Sequence, residues 1–258
     1  MSSYVNPFRK MLAEQKNLIG TNIEMREAVA TEILSNIYEF IWVDWEHTWM
    51  DRSELMDHLI AARAGGAPVM VRVPGHDPDI VKYVLDMGTD GIVFPMVNTA
   101  EEARAAVAAC IYPPGGIRGF YPIRATNYFA TPVPQYVAEN ESRIFKVIQL
   151  ESKISIDNLD EILEVKGIDC VCLGRADLSG SIGKMGDTSC EEVVDLCRKA
   201  CEIALRHDTV VMCNVGFNPN DILFWKQLGV RVFAVDSDIG MIISSANHQY
   251  SQLYGILN

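Results

Sequence analysis

"FIWVDWEH", residues 40–47, opens as an unbroken apolar run and closes on acid and histidine. A strand with one face in water alternates apolar and polar residues. A continuous run such as Phe40–Val43 is covered on both faces, which is the situation of a parallel strand under helices. Such a strand buries its middle and surfaces only at its exit, so Asp44, Glu46 and His47 mark a place where side chains leave a core.

Seven more runs share this character: NLIGTNIE (17–24), PVMVRVP (68–74), GIVFPMV (91–97), FKVIQLE (145–151), DCVCLGRAD (169–177), TVVMCNV (209–215) and VRVFAVDSD (230–238). Between them lie segments with helical spacing, among them SELMDHLIAARAGG, PDIVKYVLDMG, AEEARAAVAACIY and EEVVDLCRKACEIALRH. Gly65, Gly88 and Gly229 are read as the glycines that follow helix ends. Eight strands alternating with helices, without linker or low-complexity tract, predict an α/β fold: a single (β/α)8 TIM barrel over residues 1–258. A doubly wound open sheet is the competitor, but no glycine-rich dinucleotide loop follows the first strand. The longest irregular stretch spans 112–134, and GMIISSANHQYSQLYGILN reads as an extra C-terminal helix that packs on a partner subunit.

Composition narrows the function. With 22 Lys+Arg against 34 Asp+Glu, the net charge of −12 repels polyanions, so nucleic acid is not an expected partner. The seven cysteines lack the CxxC spacing of a zinc site and their odd number argues against a disulfide framework, so they are read as buried, reduced thiols. No run approaches the ~18 apolar residues of a membrane span and no apolar leader stands at the start, so the expected compartment is the cytoplasm, with no membrane association.

In a barrel, chemistry collects where strands end. Besides 44–47, Arg72 closes the third run, Gln149 and Glu151 the fifth, Asp177 the sixth, and Asp236 and Asp238 the eighth. Any one of these has a structural explanation as a cap or solvated rim group; five agreeing strand ends point to a site. Glu151 and Asp177 are 26 residues apart, about one strand–helix–strand unit, which puts two carboxylates on neighbouring strands. They either share a proton or are neutralised by a hard, oxygen-seeking cation such as Mg2+ or Mn2+.

The motifs DWEH (44–47), VRVPGHDP (71–78), VLDMG (84–88), FPMVNTAEEARAAV (94–107), YPPGGIRG (112–119), QLES (149–152), LGRADLSGSIG (173–183) and FAVDSDIG (233–240) resemble, in order and spacing, the class II metal-dependent pyruvate aldolases of the HpcH/HpaI aldolase/citrate lyase type. The resemblance implies that Glu151 and Asp177 hold a divalent ion (Mg or Mn, with Co or Zn as other options) and that Gln149, Ala176 and Asp177 contact a bound 2-oxo acid. It further implies His47 as proton acceptor, Asp86 as the group raising its basicity from a neighbouring subunit, Arg72 as the enolate stabiliser and Arg124 as holder of a distal carboxylate. The implied reaction cleaves a 4-hydroxy-2-oxo acid to pyruvate and an aldehyde in a homo-oligomer, a hexamer in similar proteins. Acyl-CoA lyases of the citramalyl- or malyl-CoA kind share the scaffold, and a non-catalytic 2-oxo-acid-binding barrel is the reading from another class.

Two positions depart from the pattern. Trp45 stands where relatives carry Gly, read either as rim packing or as a tighter aldehyde pocket; Arg175 replaces a usual Pro and either binds a carboxylate or points outward. His76 and the acids of DSD are read as structural groups. No lysine sits at a matching strand end, which disfavours a Schiff base. EDTA is therefore expected to abolish pyruvate release from a 4-hydroxy-2-oxo acid, with recovery on adding Mn2+; activity that survives chelation contradicts the metal reading.

Overall fold

The computed structural model describes residues 4–15 and 17–257. Its strands are β1 (Leu18–Ile23), β2 (Phe40–Asp44), β3 (Val69–Arg72), β4 (Gly91–Phe94), β5 (Phe145–Leu150), β6 (Cys170–Leu173), β7 (Val210–Val215) and β8 (Val232–Ser237). They pair in parallel, in sequence order, and β8 closes on β1. The eight-stranded barrel expected from the apolar runs is the observed fold, together with the extra helix at its C-terminal end.

The helices are α1 (Pro7–Glu14), α2 (Ala28–Ser35), α3 (Arg52–Gly65), α4 (Pro78–Asp86), α5 (Ala100–Ala109), α6 (Val133–Ala138) and α7 (Asn140–Arg143). They continue as α8 (Lys153–Asp157), α9 (Leu159–Leu163), α10 (Arg175–Ser181), α11 (Glu191–Arg206), α12 (Pro219–Gln227) and α13 (Asp238–Leu257). Local chemistry starts several of them. Asp51 and Thr99 close capping boxes with Glu54 and Glu102, and Asp77 caps a helix whose first residue is Pro78.

Side chains alternate across each strand, and the two sets form separate cores. Phe40, Trp42, Met70, Val93, Phe145, Val147, Cys170, Cys172 and Met212 fill the barrel. Ile41, Val43, Val71, Ile92, Ile148 and Val171 face the helices. The α1 helix, absent from the sequence reading, plugs the end of the barrel where strands begin: Phe8 stacks on Phe145 at 5.2 Å and meets Phe40 edge-on at 5.7 Å. Asn6 starts it, capping Phe8 and reaching the carbonyls of Asp90 and Arg143.

Several boundaries differ from expectation. The glycine after α3 is Gly66, with φ 87°, because its N–H closes the last turn on Ala62; Gly65 is still helical. The run 169–177 turns helical at Arg175, so Asp177 sits in the first turn of α10 rather than on extended chain. The 112–134 stretch is folded into turns, with Asn127, Tyr128 and Phe129 at positive φ and the Thr126 hydroxyl bonded to Pro122 and Ile123. Beyond Gly240, α13 leaves apolar side chains such as Ile243, Tyr250 and Leu253 exposed.

A methyl on Gly20 of β1 would lie 2.5 Å from the Phe40 ring. Gly20→Ala is expected to overpack the barrel and destabilise it by about 1–3 kcal/mol, read as a lower midpoint in urea unfolding; an unchanged midpoint contradicts the packing described.

Candidate active site

The alternation that fills the barrel also builds its mouth. Continuing the inward series Phe40, Trp42 and Met70 by two residues brings Asp44 and Arg72 inward, and the β2–β3 register sets these two opposite one another. Arg72 Nε donates to Asp44 Oδ1 at 2.9 Å and Nη2 to Oδ2 at 2.7 Å, a two-point contact of the strong, directional kind. The Glu46 carboxylate lies 3.3 Å from Arg72 Nε. Asp44 Oδ1 also accepts from the Glu46 N–H at 3.1 Å, which folds the chain after β2 into a tight turn. That turn holds His47 at the mouth with its side chain 60% exposed and Nε2 3.5 Å from Glu46 Oε2. The acids at the exit of β2 are therefore paired with one partly buried arginine.

On β5 the inward series continues Val147, Gln149 and Glu151. Glu151 is only 3% exposed. Its Oε1 accepts from Gln149 Nε2 at 2.7 Å and its Oε2 from the Met96 N–H at 2.8 Å. Met96, just past β4, takes φ 51°, a conformation unusual for a side chain of that size. Burial pushes the Glu151 carboxyl up to about 7, against the Met96 N–H, and Glu46 and Asp177 add to the rise. Glu46 is raised for the same first reason, burial, in spite of Arg72. Gly174 follows β6 with its N–H on the Leu150 carbonyl, and a methyl there would meet Glu151 Cγ at 2.3 Å.

His47, Arg72, Gln149, Glu151, Ala176 and Asp177 line one cavity of about 280 Å3, completed by Leu173, Gly174, Arg175, Thr188 and Asn214. Six of the eight residues expected to act together are thus assembled. The other two are not in this mouth. Asp86 ends α4, at the opposite face of the barrel, and its carboxylate takes a 2.6 Å bond from the fully buried Arg118. Arg124 is buried at that same face, donating to the carbonyls of Met87 and Leu59. It ties Met87 at the end of α4 to Leu59 within α3, and so lies away from the cavity of its own chain.

Other readings resolve similarly. Trp45 packs against the outer core with Nε1 on the Met50 carbonyl at 2.8 Å, so it is rim packing rather than a pocket wall. His76 bonds the Pro95 carbonyl, and Asp238 clips the exit of β1 through the N–H groups of Glu24 and Met25. All seven cysteines are free. The Met96 N–H and the Asp44 brace went unassigned in the sequence; the inward parity of Asp44 with Trp42 was the available signal for the second.

No cluster of three His, Cys, Asp or Glu suited to a metal occurs among the described residues. The donors at the mouth nevertheless fit a hard cation. Glu151 is a buried carboxylate whose charge is disfavoured, Gln149 Oε1 is buried with no hydrogen-bond partner among the described residues, Glu46 Oε2 is buried with only the longer contacts to Arg72 and His47 among them, and Asp177 adds a further oxygen donor.

The HpcH/HpaI aldolase/citrate lyase family model matches residues 25–244. The chain is 38% identical to a 4-hydroxy-2-oxovalerate aldolase of Rhodococcus jostii (strain RHA1) over 76% of each chain. It is 33% identical to a 5-keto-4-deoxy-D-glucarate aldolase of Salmonella paratyphi A over 94% of each. Among solved structures, an HpcH/HpaI aldolase from Desulfitobacterium hafniense DCB-2 superposes with a TM-score of 0.89 at 26% identity, over 95% of both chains.

Gly174→Ala tests the site's geometry. Its methyl displaces Glu151, so divalent-ion binding measured by calorimetry is expected to weaken by roughly 10–100-fold, the cost usual for disturbing a ligand's support. Unchanged binding in a folded variant contradicts the placement of Glu151.

Proposed function

The chain belongs to the HpcH/HpaI aldolase/citrate lyase family, and we propose that it is a divalent-metal-dependent carbon–carbon lyase cleaving 4-hydroxy-2-oxo acids to pyruvate and an aldehyde. One observation carries the reading: a buried carboxylate, Glu151, shares a small cavity with Asp177, His47 and a braced arginine, Arg72. Glu151 and Asp177 would hold the ion, which when bound supplies Lewis acidity toward a 2-oxo acid.

The remaining steps belong to side chains. Gln149 and the chain at Ala176 orient the 2-oxo acid. His47, exposed enough to meet substrate, takes the proton of the 4-hydroxyl, and an imidazole suits this because its ordinary pKa lies near neutrality. As the 4-hydroxyl oxygen becomes the aldehyde carbonyl, the C3–C4 bond breaks and its electron pair passes into the enolate of pyruvate. Arg72 opposes the charge gathering on the C2 oxygen, and the Asp44 contact fixes its guanidinium so that no reorganisation is needed as the charge forms. A proton delivered to C3 completes pyruvate.

The role of Asp86 as a partner to His47 requires a neighbouring subunit, since within one chain it pairs with Arg118. A homo-oligomer fits the apolar surface left open along α13.

Retro-aldol turnover with Mn2+ and a panel of 4-hydroxy-2-oxo acids tests the proposal, and release of pyruvate is the expected result. Cleavage of citramalyl- or malyl-CoA in its place overturns it in favour of a thioester lyase, and no turnover of either kind favours a binding protein. Arg72→Ala is expected to lower turnover by roughly 10²–10³. Near-normal turnover in that variant, shown folded by thermal melting, contradicts the enolate role.

A further inference from the structure

At the end of the barrel where strands begin, away from the mouth, lies a second cavity of about 690 Å3, against about 280 Å3 at the mouth itself. One face of α5 forms a wall, since the spacing of Arg104, Val107 and Ala108 sets them side by side, with Ile111 just past the helix end. The turn 164–167, which leads from α9 into β6, forms another. Arg9 of α1, Glu141 of α7 and Lys146 of β5 complete the lining.

Lys146 is the unusual member. It is only 2% exposed. Its neighbours Phe145 and Val147 point into the barrel, so the strand period turns Lys146 outward, toward the helices. Its Nζ donates to the carbonyls of Glu141 at 3.1 Å and Ile144 at 3.2 Å, which occupies two of the three N–H donors of an ammonium group. No carboxylate forms an ion pair with it among the described residues. Asp169 is already committed: its two oxygens take Arg9 at 2.7 and 2.8 Å, and one of them also takes the Lys146 backbone N–H at 2.8 Å. Burial pulls the Lys146 ammonium below the ordinary lysine range, so a charge kept here calls for a counter-ion. Arg104 and Lys166 are exposed and make no ion pair or side-chain hydrogen bond among the described residues. Four cations thus meet two carboxylates, Glu141 and Glu164, in a chain whose net charge is −12.

We propose that this cavity binds a phosphate monoester, its dianionic group met by Lys146, Arg104 and Lys166 and its organic part resting on Val107, Ile111 and Val165. Three separate cations suit a tetrahedral dianion better than a planar carboxylate, which a single arginine fork satisfies. The volume leaves room for more than a bare ion. The ligand is distinct from the substrate of the mouth, and the proposal does not rest on the aldolase reading.

Calorimetric titration of the full chain with phenyl phosphate, inorganic phosphate and phenol tests it. The proteins are wild type, Lys146→Met and the double variant Arg104→Ala/Lys166→Ala, with Glu151→Gln and Arg72→Ala as controls altered only at the mouth; each is checked by thermal melting. Phenyl phosphate is expected to bind wild type and both mouth variants alike, more tightly than inorganic phosphate, while phenol does not bind. Affinity is expected to fall about 10- to 100-fold in Lys146→Met, the scale of one charge-assisted hydrogen bond, and at least tenfold in the double variant. No binding of phenyl phosphate to wild type overturns the site. So does binding that survives in Lys146→Met or the double variant, or that is lost in the mouth variants. Equal affinity for phenyl phosphate and inorganic phosphate overturns the ester and its apolar wall. If Lys146→Met does not fold, the double variant, altered only at exposed residues, decides.

Discussion

A carboxylate almost sealed from water, with no cationic side chain bonded to it, governs the mouth of this barrel. Glu151 is 3% exposed and, among the described residues, is hydrogen-bonded only by the Gln149 amide and the Met96 N–H. An unpaired buried charge of this kind costs several kcal/mol even after the surroundings relax. The chain makes further concessions around it. Met96 holds a left-handed conformation that costs about 1–3 kcal/mol, and position 174 admits no side chain beyond hydrogen. Such strain, kept at one spot, suits a group held ready for something that arrives from outside the chain.

The means of building this site is the two-residue period of a strand. The parity that sends Phe40, Trp42, Met70 and Val147 into the barrel also sends Asp44, Arg72, Gln149 and Glu151 to its upper layer. Core and site are one pattern, apolar while the strand is enclosed and polar once it reaches solvent. The neighbouring register of β2 and β3 then does what neither strand does alone, pairing Asp44 with Arg72 so that the arginine stays charged and fixed in a site that is otherwise acidic.

The eight strands were legible because each is a short, continuous apolar run, and most site residues were legible because they terminate those runs. What was lost has physical reasons. The α1 helix is short and mixes charged with apolar residues, so its plug-like role emerges only when Phe8 meets Phe40 and Phe145. Asp86 belongs to the VLDMG motif and Arg124 is implied by the resemblance, but they lie at a helix end and between a helix and the next strand. In a barrel those places face away from the mouth of their own chain, as the element order already indicates. Trp45 and Arg175 were left open because direction is a tertiary matter; a carbonyl at Met50 settles the first, and Trp225 with Asn214 positions the second.

The central claim is that Glu151 and Asp177 grip a cation together. Titration of Mn2+ followed by electron paramagnetic resonance, on wild type, Glu151→Gln and Asp177→Asn, tests it most directly. The account predicts about one bound Mn2+ per chain in wild type and a loss of affinity of roughly a hundredfold or more in each variant. Equal affinity in all three proteins, with each shown to be folded, would contradict it.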